Sequence, residues 1–163
     1  MDSKRIETLY DAITYDIIGD AMAIHRARGR GYKEVTYQRD LEVRFKLMGQ
    51  DFDPEPRLPV YDSSLGNQLV GFYIPDFIVQ KVVVVEIKAL WGLDNSHIAQ
   101  MIGYLAVTGC SVGLLINFGR YSLEWRRIFP PKDILEHRVN RQWLWVPDWI
   151  CLLYTSPSPR DGL

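Results

Sequence analysis

Two carboxylates and an ammonium sit in this chain where a soluble protein rarely places charge. The run Val82-Val83-Val84-Val85-Glu86-Ile87-Lys88 is apolar until its last residues. A continuous apolar stretch of this kind reads as a strand covered on both faces. Glu86 and Lys88 are two apart, so both leave the strand on the same side. Burying either ion costs on the order of several kcal/mol unless it is paired, hydrogen-bonded or bound to a metal. Upstream lies Asp76, in Ile74-Pro75-Asp76-Phe77-Ile78-Val79, on what reads as the preceding strand. An Asp followed by Glu-x-Lys on adjacent central strands suits metal-dependent phosphodiester cleavage; the bland alternative is a buried structural ion pair. Cleavage needs a metal to polarise the phosphoryl oxygen and stabilise the leaving oxygen. Mg²⁺ takes oxygen ligands and is usually held by one or two carboxylates. Asp76 and Glu86 would supply these, with the carbonyl of Ile87 as a third ligand. Lys88 would orient the attacking water or neutralise phosphate charge. An all-oxygen set favours Mg²⁺ or Mn²⁺.

The surrounding elements must position that group. Ile6, Leu9/Tyr10, Ile13, Ile17, Ala21 and Ile24 recur at helical spacing, so residues 4–27 read as an amphipathic helix. Gly29 and Gly31 break it. Tyr37, Leu41, Phe45 and Met48 mark a second helix over 34–49. Three prolines within 51–61 allow only an edge or loosely paired strand there. A turn over 62–67 leads to a strand over 68–79, and the short Gln80-Lys81 link joins it to a strand over 82–89 as an antiparallel hairpin. Asp94, Asn95 or Ser96 caps a third helix over 95–108. Val112 to Phe118 is a fourth, buried strand, and Leu123 to Phe129 a weaker fifth. The strand–helix–strand unit from 82 to 118 demands a parallel crossover. The class is therefore α/β, with a mixed central sheet flanked by helices.

Two helices add candidates. Glu34 opens the second helix on the face of Tyr37, Leu41 and Phe45. It is either a further metal ligand or an acid favoured by the helix dipole. His97, Gln100 and Tyr104 share a stripe of the third helix. Gln100 and Tyr104 could support Lys88 or bind substrate, although position alone places them on a solvated flank, and His97 is too isolated to serve as a base. Arg26, Arg28, Arg30 and Lys33 crowd the entry to the Glu34 helix and are candidate phosphate contacts. A second basic run of Arg120, Arg126, Arg127, Lys132, Arg138 and Arg141 is diluted by acids and reads at least as well as solvated surface. Trp143, Trp145 and Trp149 could stack on bases or simply pack the end of the chain.

The chain has 163 residues, 47% hydrophobic and 24% charged, with a net charge of −1. That suits one core-forming domain over residues 1–131 and excludes a polycation, so nucleic-acid affinity must come from local patches. No apolar run approaches a membrane span or a signal-peptide core, so a cytoplasmic location without a membrane partner is expected. Cys110 and Cys151 form no metal-binding spacing. Residues 132–150 form an extension of unassigned role. Residues 151–163, with Cys151-Leu152-Leu153-Tyr154-Thr155-Ser156-Pro157-Ser158-Pro159, read either as a translated sequencing adapter, marking an assembled metagenomic read, or as a disordered Ser/Pro-rich tail.

Gly31-Tyr32-Lys33-Glu34-Val35-Thr36-Tyr37 matches the signature that names the GxxExxY protein family. The resemblance runs over about residues 7–129. It takes in Ala23-Ile24-His25, the signature, Pro75-Asp76, Glu86-Ile87-Lys88, Gln100 with Tyr104, and Gly113 to Phe118. That family is placed in the PD-(D/E)XK nuclease-like superfamily, which implies a restriction-endonuclease-like αβββαβ core. The resemblance implies that Asp76, Glu86 and Lys88 are catalytic, that Glu34 is the helix carboxylate, and that Gln100 and Tyr104 are the QxxxY element of recombination-type nucleases. The Arg-rich residues 26–30 and the C-terminal extension depart from the family pattern. The leading expectation is an Mg²⁺- or Mn²⁺-dependent nuclease acting on DNA or RNA. The alternatives are a non-catalytic nucleic-acid- or partner-binding module that retains the fold, and a structural subunit using its tryptophan-rich end. DNA or RNA preference, strandedness and oligomeric state stay open.

Overall fold

A computed structural model describes residues 9–131. The C-terminal extension, its tryptophans, the tail after it and the first helical residues lie outside the described residues. Helices α1 (Leu9–Arg28) and α2 (Glu34–Leu47) come first. Strands β1 (Phe52–Pro54), β2 (Leu58–Asp62), β3 (Gln68–Tyr73), β4 (Phe77–Val79) and β5 (Val83–Lys88) follow. Helix α3 (Asn95–Thr108) then leads to β6 (Val112–Asn117) and β7 (Glu124–Ile128).

The main sheet has the order β1-β4-β5-β6-β7. Its β5–β6 pair is parallel, as the α3 crossover requires, and the other pairs are antiparallel. This mixed sheet with helices on its faces is the expected α/β architecture. Gln80 and Lys81 link β4 to β5 with φ of 48° and 60°, the left-handed pair of a tight hairpin turn.

The expected strand over 68–79 is in fact two strands. Ile74, Pro75 and Asp76 interrupt it, and its halves join different sheets: among the described residues β3 pairs with β2 alone, and β4 joins the main sheet. Pro75 has no N–H for a ladder, so the chain leaves one sheet there and enters the other. The stretch over 51–61 divides similarly into β1, at the edge of the main sheet, and β2. Glu55, between two prolines, makes that bend with φ of 45°. Met48 was expected on the buried face of α2, but it caps the helix and is exposed.

Alternation along the strands sends side chains to two cores. Val83, Val85, Ile87, Leu114 and Ile116 pack under α1 and α2. Val84 and Leu115 pack against α3 and the β2–β3 ribbon, with Met101, Tyr104 and Tyr73. Helix α3 begins as its sequence indicates: the Asp94 carboxylate accepts from Ser96 N–H at 2.8 Å, and Asp94 N–H donates to His97 Nδ1 at 3.0 Å. It ends at Gly109, whose φ of 77° makes it a left-handed cap. Among the described residues no helix is long and apolar enough to cross a membrane.

Candidate active site at the end of the central strands

The break at Pro75 brings Asp76 to Glu86. One step beyond the Phe77–Val85 pair, Asp76 stands across from Glu86 at the point where β4 has not yet begun. Asp76 Oδ2 accepts from the Ile87 N–H at 2.7 Å, and Asp76 N–H donates to Glu86 Oε2 at 3.3 Å. A backbone donor that would otherwise have lost its ladder partner thus orients a carboxylate. Lys88 Nζ lies 3.5 Å from Glu86 Oε1. The three residues are only 2%, 3% and 7% exposed for Asp76, Glu86 and Lys88. The two charges of β5 do share one side, the side of Val84 that faces α3.

Gln100 and Tyr104 correct the expectation of a solvated flank, because both are buried. Gln100 Nε2 donates to the Tyr104 hydroxyl at 2.9 Å, and the Tyr104 ring meets Tyr73 edge-on with centroids 5.7 Å apart. The β2–β3 ribbon covers this stripe, and sequence periodicity could not show which element would lie there. His97 belongs to the α3 cap. Burial lowers its pKa below the ordinary histidine value, Asp94 opposes this, and Lys88 pushes further down. It is therefore a neutral acceptor near neutral pH and holds the helix start beside Lys88.

Glu34 is elsewhere. With Lys33, Gln38 and Glu55 it lines a cavity of about 470 Å³ that reaches Ala89, the residue after Lys88. Among the described residues no three Asp, Glu, His or Cys side chains come close enough together to hold a metal. The structure therefore unites Asp76, Glu86 and Lys88, and sets Glu34 at an adjoining rim. Its neighbours explain the signature physically. Gly31, at φ of 103°, makes the bend before α2. The Tyr37 hydroxyl donates to the Gly29 carbonyl at 2.6 Å, and its ring stacks on Phe118 with centroids 4.4 Å apart.

The basic run divides. Arg28 makes a two-point pair with Asp40, at 2.5 and 2.9 Å, which raises its pKa. Arg30 lies against the rings of Tyr121 and Trp91. Lys33 is at the cavity, and Arg26 is exposed. In the second basic run Arg127 is held by Asp11 at 2.6 Å; Lys132, Arg138 and Arg141 lie outside the described residues.

Two neighbours of the site, Glu55 and Asn117, escaped sequence reading. Glu55 donates its backbone N–H to the Asp76 carbonyl at 2.9 Å and accepts from Gln38 Nε2 at 3.2 Å. Only the Pro-Glu-Pro spacing hinted at a fixed bend. Asn117, fully buried at the end of β6, accepts from Leu90 N–H and donates to the Leu90 carbonyl, each at 2.9 Å. A polar residue ending an apolar strand was the available signal.

A family model described as the PD-(D/E)XK nuclease superfamily matches residues 11–128. No curated protein gives a significant match. Among solved structures, SSO0001 is similar in fold, with a TM-score of 0.52 at 18% identity, covering 94% of this chain and 70% of its own. LHK-Exo, an alkaline exonuclease from Laribacter hongkongensis, gives 0.42 at 15% identity over 69% of this chain and 65% of its own. The structure of LHK-Exo with dAMP gives 0.44 at 14% identity over 91% and 85%.

Proposed function

The chain belongs to the PD-(D/E)XK nuclease superfamily, and on that premise we propose that it is a divalent-metal-dependent nuclease of the GxxExxY type that hydrolyses phosphodiester bonds in DNA or RNA. One observation carries the reading: Asp76 and Glu86, both buried, meet across the mouth of β4 and β5, with Lys88 beside them. Two carboxyl groups face one amine in a site nearly closed to water, an arrangement that a bound cation would satisfy. Their donors are hard oxygens, the set Mg²⁺ and Mn²⁺ take, and two carboxylates suffice when waters and substrate complete the shell. Asp76 and Glu86 would hold the ion. Both backbone groups of a strand residue point to the same neighbour. The Ile87 N–H points at Asp76, so its carbonyl lies on that side and would be the third oxygen. When bound, the ion supplies polarisation of the phosphoryl group and stabilisation of the leaving oxygen. Lys88 is placed to hold the attacking water or a phosphate oxygen, and Gln100 with Tyr104 backs that wall. Glu34, across the adjoining cavity, meets substrate or the outer hydration of the ion.

The test is cleavage of single- and double-stranded DNA and RNA in Mg²⁺ or Mn²⁺. Asp76→Asn, Glu86→Gln and Lys88→Met should each lower the rate by about 100-fold or more, with unfolding midpoints showing that the variants fold. Undiminished cleavage by a folded Asp76→Asn or Glu86→Gln protein would remove the assignment.

A further inference from the structure

Two exposed aromatic rings stand just past the strands that carry the candidate site. β5 ends at Lys88 and β6 at Asn117, its partner in register. The loops that follow are fastened together. The Asn117 side chain holds both backbone groups of Leu90. A Cβ on Gly119 would lie 2.3 Å from Leu90 N and O, so only glycine permits this approach. His25 Nε2 sits 2.9 Å from the Arg120 carbonyl, tying the second loop to α1. These fastened loops nevertheless present Trp91 at 78% and Tyr121 at 81% exposure. The guanidinium of Arg30 bridges them, 3.7 Å from the Tyr121 centroid and 5.1 Å from that of Trp91.

We infer that Trp91, Tyr121 and Arg30 form a stacking platform for the unpaired bases of a single-stranded nucleic acid. Its use as a substrate guide rests on the nuclease reading above. Aromatic rings and guanidinium planes accept any base face, and the guanidinium adds charge against the backbone. A base within a duplex has both faces already stacked, so the platform selects unpaired strands. The neighbouring catalytic group sets the scale. Trp91 is three residues past Lys88, so their backbones are no more than about 11 Å apart. A stacked strand rises about 3.4 Å per nucleotide. The Trp91 backbone therefore lies within about three stacked nucleotides of the Lys88 backbone.

The experiment is fluorescence anisotropy of an end-labelled oligothymidylate of about 12 nucleotides, a usual site size, with the full chain in chelator so that no cleavage intervenes. Trp91→Ala and Tyr121→Ala should each weaken binding by about tenfold, Trp91→Phe should recover most of the loss, and Tyr15→Ala, which removes an equally exposed ring on α1, should bind like the parent. A blunt duplex of the same length should bind more weakly and ignore both alanine changes. Unchanged affinity in the Trp91→Ala/Tyr121→Ala double variant, equal response of the duplex, or no binding by the parent would overturn the platform. If binding depends on both rings but Asp76-dependent cleavage is never seen, the platform stands and the nuclease reading falls. If Asp76-dependent cleavage is seen but binding ignores the rings, the reverse holds.

Discussion

Under α1 and α2 the buried side chains that the main sheet contributes, among the described residues, are apolar: Phe77, Val79, Val83, Val85, Ile87, Val112, Leu114 and Ile116, with the partly exposed Arg127 at the edge paired to Asp11. On the side of α3 the same strands begin alike, with Val84 and Leu115, but end in Glu86, Lys88 and Asn117, all buried. Two faces of one sheet, separated only by the alternation of side chains, thus carry opposite chemistry. The apolar face gains from transferring side chains out of water. The polar face bears the desolvation of ions that a well-packed hydrophobic replacement would avoid. Charge kept there against that cost points to a task other than stability.

The contrast can be broken by substitution. The largest stability effect is expected on the apolar face. Phe45 is fully buried and packs on Phe52 and Phe77 at centroid distances of 5.3 and 5.2 Å. Phe45→Ala should cost about 3–5 kcal/mol in equilibrium denaturation. On the polar face, the paired change Glu86→Gln/Lys88→Met should leave stability within about 1 kcal/mol or raise it, because it removes a buried ion pair while keeping its volume. A loss as large as that of Phe45→Ala would make the pair structural and dissolve the contrast.

A smaller effect sharpens it. The folded pKa of His97 lies below its ordinary 6.5, chiefly through burial. The unfolded chain therefore binds this proton first. The stability linked to His97 is complete above 6.5 and declines as pH falls through that value toward the lowered folded one. The same proton removes the Nδ1 acceptor of the α3 cap. Urea denaturation at stepped pH should show this decline, and His97→Gln should lack it.

Much of this was legible in the chain. The start of α3 followed from Asp94, Asn95 or Ser96, whose capping role is local. β5 and β6 followed from unbroken apolar runs. The association of Asp76 with Glu86 followed from a short hairpin, where register is set nearby. What stayed hidden was decided at a distance. The β2–β3 ribbon that buries Gln100 and Tyr104 depends on Pro75 sending the chain between sheets, and a proline alone does not say which strand pairs where. Position within the basic run could not separate Arg28, engaged by Asp40, from Arg30, held against rings contributed by loops far along the sequence. Glu34 shared a helical face with core residues, yet the structure sets it at a cavity beside the buried carboxylates rather than among them.

The most direct test of the polar face as a metal site is calorimetric titration of Mn²⁺ and Mg²⁺ into the folded chain, with and without a phosphate-bearing oligonucleotide, beside the Asp76→Asn/Glu86→Gln variant. Saturable binding in the parent that disappears in the variant is the expected result. Equal isotherms for the two proteins, or no binding by the parent even with the oligonucleotide present, would contradict it and leave Asp76, Glu86 and Lys88 as a buried structural cluster.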